Sequence, residues 1–297
     1  MKKKFLALSL ALLLILSLAA CGGNSGNAAS NNSAEVSDGA EESADTPEDG
    51  AVTEIATLKV AATSVPHAEI LEAAKPALLE LGVDLDITEY SDYIMPNVAV
   101  DEGDEDANYF QHEPYLLNFN EEHGTDLVTA AYIHYEPMGI YGGKTTALED
   151  LPDGASVAVP NDVTNEARAL QLLAAQGLIE IAPDAGLNAT PNDITANPKN
   201  LTFAELSAEM LPNTVDEYDL SIINSNYAMQ AGLNPAEQAL ASEDAESEAA
   251  QTFANIICVK AGNENDPRIL ALVSVLTSDA IRDFINETYQ GAVLPIF

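Results

Sequence analysis

The sequence predicts an α/β protein built as two lobes, and three observations carry that expectation. Strand-like apolar runs alternate with helix-like runs from Thr57 to Phe297, the order that layers of helices on sheets require. The chain is 297 residues long, enough for two domains. The pattern of elements also leaves one set of strands, passes through a second and comes back. It contains no internal repeat.

Taken in order, Leu58–Ala62 reads as a buried strand and Thr63–Pro66 as the turn after it. A helix follows over His67–Leu81, with Ile70, Leu71, Ala74, Leu78 and Leu81 at helical spacing, and Gly82 stops it. Val83–Tyr90 alternates as a half-buried strand, and a short helix over Asn97–Glu102 leads into an aromatic stretch. Leu127–Ile133 and Pro137–Tyr141 read as strands, and Gly142–Gly143 as the crossing into the second lobe. Ser156–Pro160 is a buried strand, followed by a helix over Glu166–Gln176 that Gly177 ends. Leu201–Phe203 and Leu220–Asn224 are further strands, Thr252–Val259 returns the chain, and Asp266–Thr277 and Ser278–Tyr289 are closing helices. The expected organisation is 1–20 leader, 21–56 linker, 57–141 first lobe, 142–254 second lobe and 255–297 return to the first.

The leader is legible. Lys2, Lys3 and Lys4 precede an apolar run over Phe5–Leu18 that is short for a membrane span. Leu18-Ala19-Ala20-Cys21 then has the form of a bacterial lipoprotein cleavage box, which makes Cys21 the expected lipidation site. From Gly22 to Ala56 the chain is rich in small, polar and acidic residues without an aromatic, and too poor in apolar surface to order itself. The net charge of −37 excludes a nucleic-acid binder, which needs a basic patch. Such a surface is also repelled by anionic lipid headgroups. With Cys21 lipidated, Cys258 is left as a lone thiol in a strand-like run, which excludes a disulfide framework and a cysteine metal site.

The stretch Asp106–Asn120 concentrates Tyr109, Phe110, His112, Tyr115 and Phe119 in a chain with 6% aromatics and no Trp. It reads either as aromatics packed into the core at a strand–helix junction or as the wall of a small-molecule pocket. Asn161–Arg168 follows a buried strand, where free backbone N–H groups and the helix dipole favour an anion. Arg168, in or near the first turn, opposes that dipole unless something anionic sits beside it, and a surface ion pair with Glu166 or a nearby acid is the plainer alternative. Asn224 and Asn226 run off another buried strand, and their amides suit a zwitterion or an Asn-capped turn equally. His67, His112, His123 and His134 are scattered along the chain, so no metal and no cofactor is expected. No nucleophile elbow, P-loop or dinucleotide fingerprint is present, so no enzyme is expected. A lipid-anchored, two-lobed α/β chain of this kind points to a periplasmic-type binding protein that closes by a hinge.

Several motifs sharpen that expectation: Val65–Leu71 (VPHAEIL), Asp106–Tyr115 (DANYFQHEPY), Val159–Asp162 with Thr164-Asn165 and Arg168–Leu170, Ile223–Ala228 (INSNYA) and Gly291–Pro295 (GAVLP). In this succession they resemble the methionine-binding lipoproteins of the MetQ/NlpA family, over essentially all of 57–297. The resemblance implies a type II-like periplasmic-binding fold, each lobe a mixed sheet flanked by helices, with the ligand in the cleft between lobes. It implies a lipid-anchored receptor, facing outside the cytoplasm, that captures L-methionine for an ABC permease and its ATPase subunits. By matching motif, Tyr93, Phe110, His112 and Tyr115 surround the thioether, Arg168 pairs with the carboxylate, and Asn165, Asn226 and Asn161 hold the polar end. Val163 and Ala167 stand where the family usually has Pro and Gly. D-methionine, a methionine dipeptide or another apolar amino acid therefore stay as alternative ligands, with a metal-binding lipoprotein as the more distant one.

Overall fold

A computed structural model describes residues 55–246 and 251–297. The expected leader, Cys21 and the linker up to residue 54 lie outside the described residues, and Ala56 already opens the first strand. Two mixed sheets form the frame. In the first, β1 (Ala56–Ala62) pairs in parallel with β2 (Val83–Glu89) and β3 (Ala107–His112). β12 (Asn255–Lys260) runs antiparallel to β3 and to β4 (Leu127–Tyr135), and β13 (Leu294–Pro295) pairs with the far side of β4. The second sheet runs β11 (Ala241–Ser242), β5 (Gly139–Gly142), β10 (Leu220–Ile223), β6 (Ser156–Pro160), β9 (Thr202–Leu206).

Each sheet carries its own core. Leu58, Val60 and Ala62 of β1 are fully buried, and so is Ala61 on the opposite face, because a parallel strand is covered on both sides. Helix α1 (Glu69–Glu80) lays Ile70, Leu71, Ala74 and Leu78 against this sheet, an apolar stripe at helical spacing. Two later helices, Pro267–Leu276 and Asp279–Tyr289, add Leu272, Leu276, Ile281 and Ile285 to the same core. In the second core Leu170 and Leu173 of the helix Val163–Ala175 meet Val157, Val159, Ile140 and Ile222 of the strands. Among the described residues no helix is long and apolar enough to cross a membrane.

Of the boundaries that differ from the sequence expectation, three bear on the site, each for a physical reason. α1 starts at Glu69, and His67 sits in a tight turn over Ser64–Ala68 with Val65 extended (φ −124°), since the residue before a proline disfavours the helical region. The helix expected from Glu166 starts at Val163, because Asp162 caps it by accepting the Asn165 backbone N–H at 3.0 Å. Arg168 therefore lies in the second turn, where the dipole acts weakly. Finally, β5 already belongs to the second sheet, so the chain leaves the first sheet over Glu136–Met138, ahead of Gly142–Gly143.

The glycine pair has another explanation. A Cβ on Gly143 would lie 2.0 Å from the Val215 carbonyl oxygen and 2.4 Å from that of Tyr218. Backbone atoms cannot move aside as a side-chain tip can. Gly143→Ala is therefore expected to lower stability by about 1–3 kcal/mol, the range for overpacking, read as an earlier urea midpoint with an unchanged slope.

Candidate ligand-binding cavity

A cavity lies between the two sheets, lined by residues of both. The first sheet contributes Phe110, Gln111 and His112 from β3 and Asn255 from β12. The second contributes Asn165 and Arg168 from the helix after β6, and Asn224, Ser225 and Asn226 from the start of the short helix Ser225–Gln230 after β10. Tyr93, Tyr115 and Glu136 complete the wall.

One half of the wall is aromatic. Tyr93 packs on Phe110, Tyr115 and Tyr227 with ring centroids 5.7, 5.8 and 4.8 Å apart, and Phe110 meets Tyr115 edge-on at 6.1 Å, spacings at which aromatic pairs attract. Hydroxyls tie this half across the cleft: Tyr93 donates to Asn226 Oδ1 (2.6 Å), and Tyr227 donates to the Ser91 carbonyl (3.1 Å). Both readings of the aromatic stretch hold for different residues. Tyr109 and Phe119 are core side chains, whereas Phe110, His112 and Tyr115 line the cavity.

The other half is polar and connected. His112 Nδ1 accepts the Tyr115 backbone N–H (3.2 Å), which leaves Nε2 to donate to Asn165 Oδ1 (3.2 Å). Burial, and then the nearby Arg168, pushes the His112 pKa down to about 3, so the ring is neutral. Asn165 also accepts from Asn224 Nδ2 (2.9 Å) and gives its own NH₂ to Asp162 at 2.9 and 3.1 Å. Its amide is thus used within the protein. Two neighbours are not so placed: Asn224 Oδ1 and Asn226 Nδ2 are buried, line the cavity and have no hydrogen-bond partner.

Arg168 is the one buried cation among the described residues. It pairs with Glu243 rather than with Glu166: Nε and Nη2 donate to the two carboxylate oxygens at 2.8 and 2.6 Å. Nη2 also reaches the Glu136 carbonyl (2.8 Å), and the guanidinium lies 4.4 Å over the Phe253 ring. Glu243 also accepts from the Tyr135 hydroxyl (2.7 Å) and the Met138 backbone N–H (2.8 Å). Burial alone would lower the Arg168 pKa and raise that of Glu243. Their mutual attraction outweighs it in both cases and keeps the pair charged.

The structure thus gathers Tyr93, Phe110, His112, Tyr115, Asn165, Arg168 and Asn226 at one cavity. Asn161 is the exception: it is exposed and lies in an adjoining groove with Ile94 and Asp162, because Asp162 is the residue that turns inward to cap the helix. Gln111, Glu136 and Asn255 were not anticipated. The histidines, read as scattered, are partly brought together: the rings of His67 and His134 are 5.1 Å apart, while His123 stacks on Phe119.

A two-lobed α/β fold enclosing an aromatic and polar cavity between its sheets defines a solute-binding protein. The chain belongs to the NlpA lipoprotein family, whose profile matches residues 58–297. It is 42% identical to the methionine-binding lipoprotein MetQ of Bacillus subtilis, covering all of this chain and 99% of that one. Among solved structures it is similar to a lipoprotein from Ruminococcus gnavus (TM-score 0.81, 52% identity, 81% of this chain and 99% of that one). It is also similar to a nutrient-binding protein from Burkholderia cenocepacia bound to methionine (TM-score 0.77, 38% identity, 81% of this chain and all of that one).

Removing one member of a buried ion pair strands the other. Arg168→Ala alone is expected to cost about 3–5 kcal/mol, and Arg168→Met combined with Glu243→Leu markedly less. Chemical denaturation of the two variants beside the parent chain measures the difference.

Proposed function

We propose that this chain captures L-methionine outside the cytoplasm, held to the membrane by lipid on Cys21, and delivers it to an ABC permease driven by its ATPase subunits. The observation that carries the reading is the pair of orphaned atoms in the cavity. Asn224 Oδ1 is an unmet acceptor and Asn226 Nδ2 an unmet donor, beside an aromatic half that has no polar demand of its own. An unmet buried polar atom costs about 1–3 kcal/mol, so the cavity asks for a ligand with a donor and an acceptor at one end and an apolar group at the other. A free amino acid with a soft side chain supplies all three.

In this reading the thioether lies among Tyr93, Phe110, His112 and Tyr115, where sulfur meets aromatic faces favourably. The carboxylate lies toward Arg168 and Asn226 Nδ2, and the ammonium toward Asn224 Oδ1 and Glu136. Asn165 acts by holding Asn224 and His112 in place. Burying the side chain yields about 1.5–3 kcal/mol, whereas micromolar affinity needs about 8 kcal/mol. Charge-assisted hydrogen bonds at about 1.5–3 kcal/mol each must supply the balance. The lobes move about the crossings near Glu136–Met138 and Ala254, with 56–135 and 255–297 as one lobe and 139–253 as the other. Binding and release are the whole cycle, with no bond made or broken.

Calorimetry on the purified chain, unfolded and refolded to strip any bound solute, tests this. L-methionine should bind one-to-one, and Asn226→Ala should weaken it by about tenfold or more, the loss of one charge-assisted bond. Heat with D-methionine or a methionine dipeptide but not with L-methionine would reassign the ligand within the class. No heat with any of them would end the methionine reading.

A further inference from the structure

Behind the cavity wall, against Glu136, lie two histidines that the reading above does not use. Glu136 is buried at the crossing between sheets, and its Oε1 lies 2.8 Å from His134 Nε2 and 3.4 Å from His67 Nε2. His67 Nε2 is also 3.0 Å from Asn255 Oδ1. Sheet register builds the arrangement: Asn255 of β12 pairs with His112 of β3 on one side and His134 of β4 on the other.

We infer that His134 and His67 are positioning residues for the ligand's ammonium group: as neutral N–H donors, His134 fixes the Glu136 carboxylate and His67 fixes Asn255 Oδ1, both at the cavity. The inference rests on the cavity being an amino-acid site. The near nitrogen of each ring settles its tautomer: Asn255 Oδ1 and the Glu136 carboxylate oxygen accept, so each Nε2 carries the proton, His67 toward Asn255 and His134 toward Glu136. His67 Nδ1, 2.7 Å from Thr63 Oγ1, and His134 Nδ1, against the Tyr109 hydroxyl, then accept from hydroxyls that are free to donate. Burial pushes the two imidazole pKa values down to about 4 and about 3, so the rings are neutral donors.

Burial is the largest influence on Glu136 and leaves its pKa above the ordinary carboxylate value, with His67, Arg168 and the Asn226 backbone N–H opposing it. A cation in the cavity would add to that opposition and favour the charged form. Glu136 lines the cavity together with Asn255 and Asn226, so its carboxylate is available to a cationic group there.

The same three side chains have atoms within 4.8 Å of one another and are a chemically fair metal triad. Ligands on a tetrahedral zinc at 2.0–2.1 Å stand about 3.3 Å apart. The 2.8 Å contact between His134 and Glu136 is instead that of a hydrogen bond.

The test uses the full chain and two probes, L-methionine and methylthiobutanoate, which is the same molecule without its ammonium. His134→Leu should weaken L-methionine by about tenfold and leave methylthiobutanoate within about threefold of the parent, while His134→Gln, which keeps an N–H donor, should restore L-methionine binding. Should the leucine variant fail to fold, His134→Phe keeps a ring in the site while removing its N–H, and the same loss confined to L-methionine is expected. Equal weakening of both probes would make the histidine merely structural and overturn the inference. One equivalent of zinc, removable by a chelator, in the parent chain would do so as well. A parent chain that binds methylthiobutanoate but not L-methionine would overturn the ammonium pole alone. A chain that binds neither would remove the amino-acid site on which it depends.

Discussion

The cost of burying charge where the chain crosses between its two sheets organises this molecule. Arg168 comes from a helix of the second sheet, and both its contacts, Glu243 and the Glu136 carbonyl, lie on crossing or return segments. Water is excluded there, so each remaining lone pair needs a donor from the protein. Glu243 obtains its donors from Tyr135, at the end of β4, and from the Met138 backbone just past the crossing. One ion pair thereby holds the last residue of a strand in the first sheet, the start of the second sheet and a helix in a single arrangement. The cavity lies against that arrangement, and its shape follows from it.

The two halves of the cavity follow from different rules. The aromatic half is made by side chains with large apolar bodies and one polar tip each, and the tips are spent across the cleft, as Tyr93 does on Asn226. What is left facing inward is apolar. The polar half is a relay that starts at a helix cap: Asp162 holds Asn165, which takes hydrogen bonds from His112 and Asn224. Each partner in the relay uses up a donor or an acceptor of the next, so an unmet atom appears at its end, on Asn224, and a second lies beside it on Asn226, whose oxygen is taken by Tyr93. Such an arrangement fixes where a ligand's polar groups must go.

Much of this was legible in the residues. The alternation of strands and helices is local, and local periodicity reports it well. The aromatic run Tyr109–Tyr115 was visible as a concentration of a scarce residue class, although only the alternation of sides along β3 separates Tyr109 in the core from Phe110 and His112 at the cavity. Arg168 was visible as a rare cation. Its partner was not, because Glu243 is one acid among 48 Asp and Glu and nothing near it in the chain marks it. Glu136 and Asn255 were hidden for the same reason: their meaning comes from β12 inserting between β3 and β4, a pairing between distant segments. Asn161, assigned by motif, stands apart because Asp162 is the residue that caps the helix, which leaves Asn161 exposed.

The acidity of the chain poses a last question, since a net charge of −37 would suggest a preference for cationic ligands. The interior argues otherwise. Exposed charges are screened over about 8 Å at physiological salt, so the surface excess is felt weakly behind the protein wall, whereas a buried pair at 2.6 Å is felt in full. Inside, Arg168 is matched by Glu243, and the remaining carboxylate, Glu136, is surrounded by donors. A purely cationic solute would gain Glu136 but meet the Arg168 guanidinium and the unmet donor of Asn226 with nothing to offer them. A purely anionic one would leave Asn224 Oδ1 unmet and face Glu136. Only a ligand carrying both signs a bond or two apart answers both ends, so the selection for a zwitterion is set by a few paired groups and is independent of the charge of the chain as a whole.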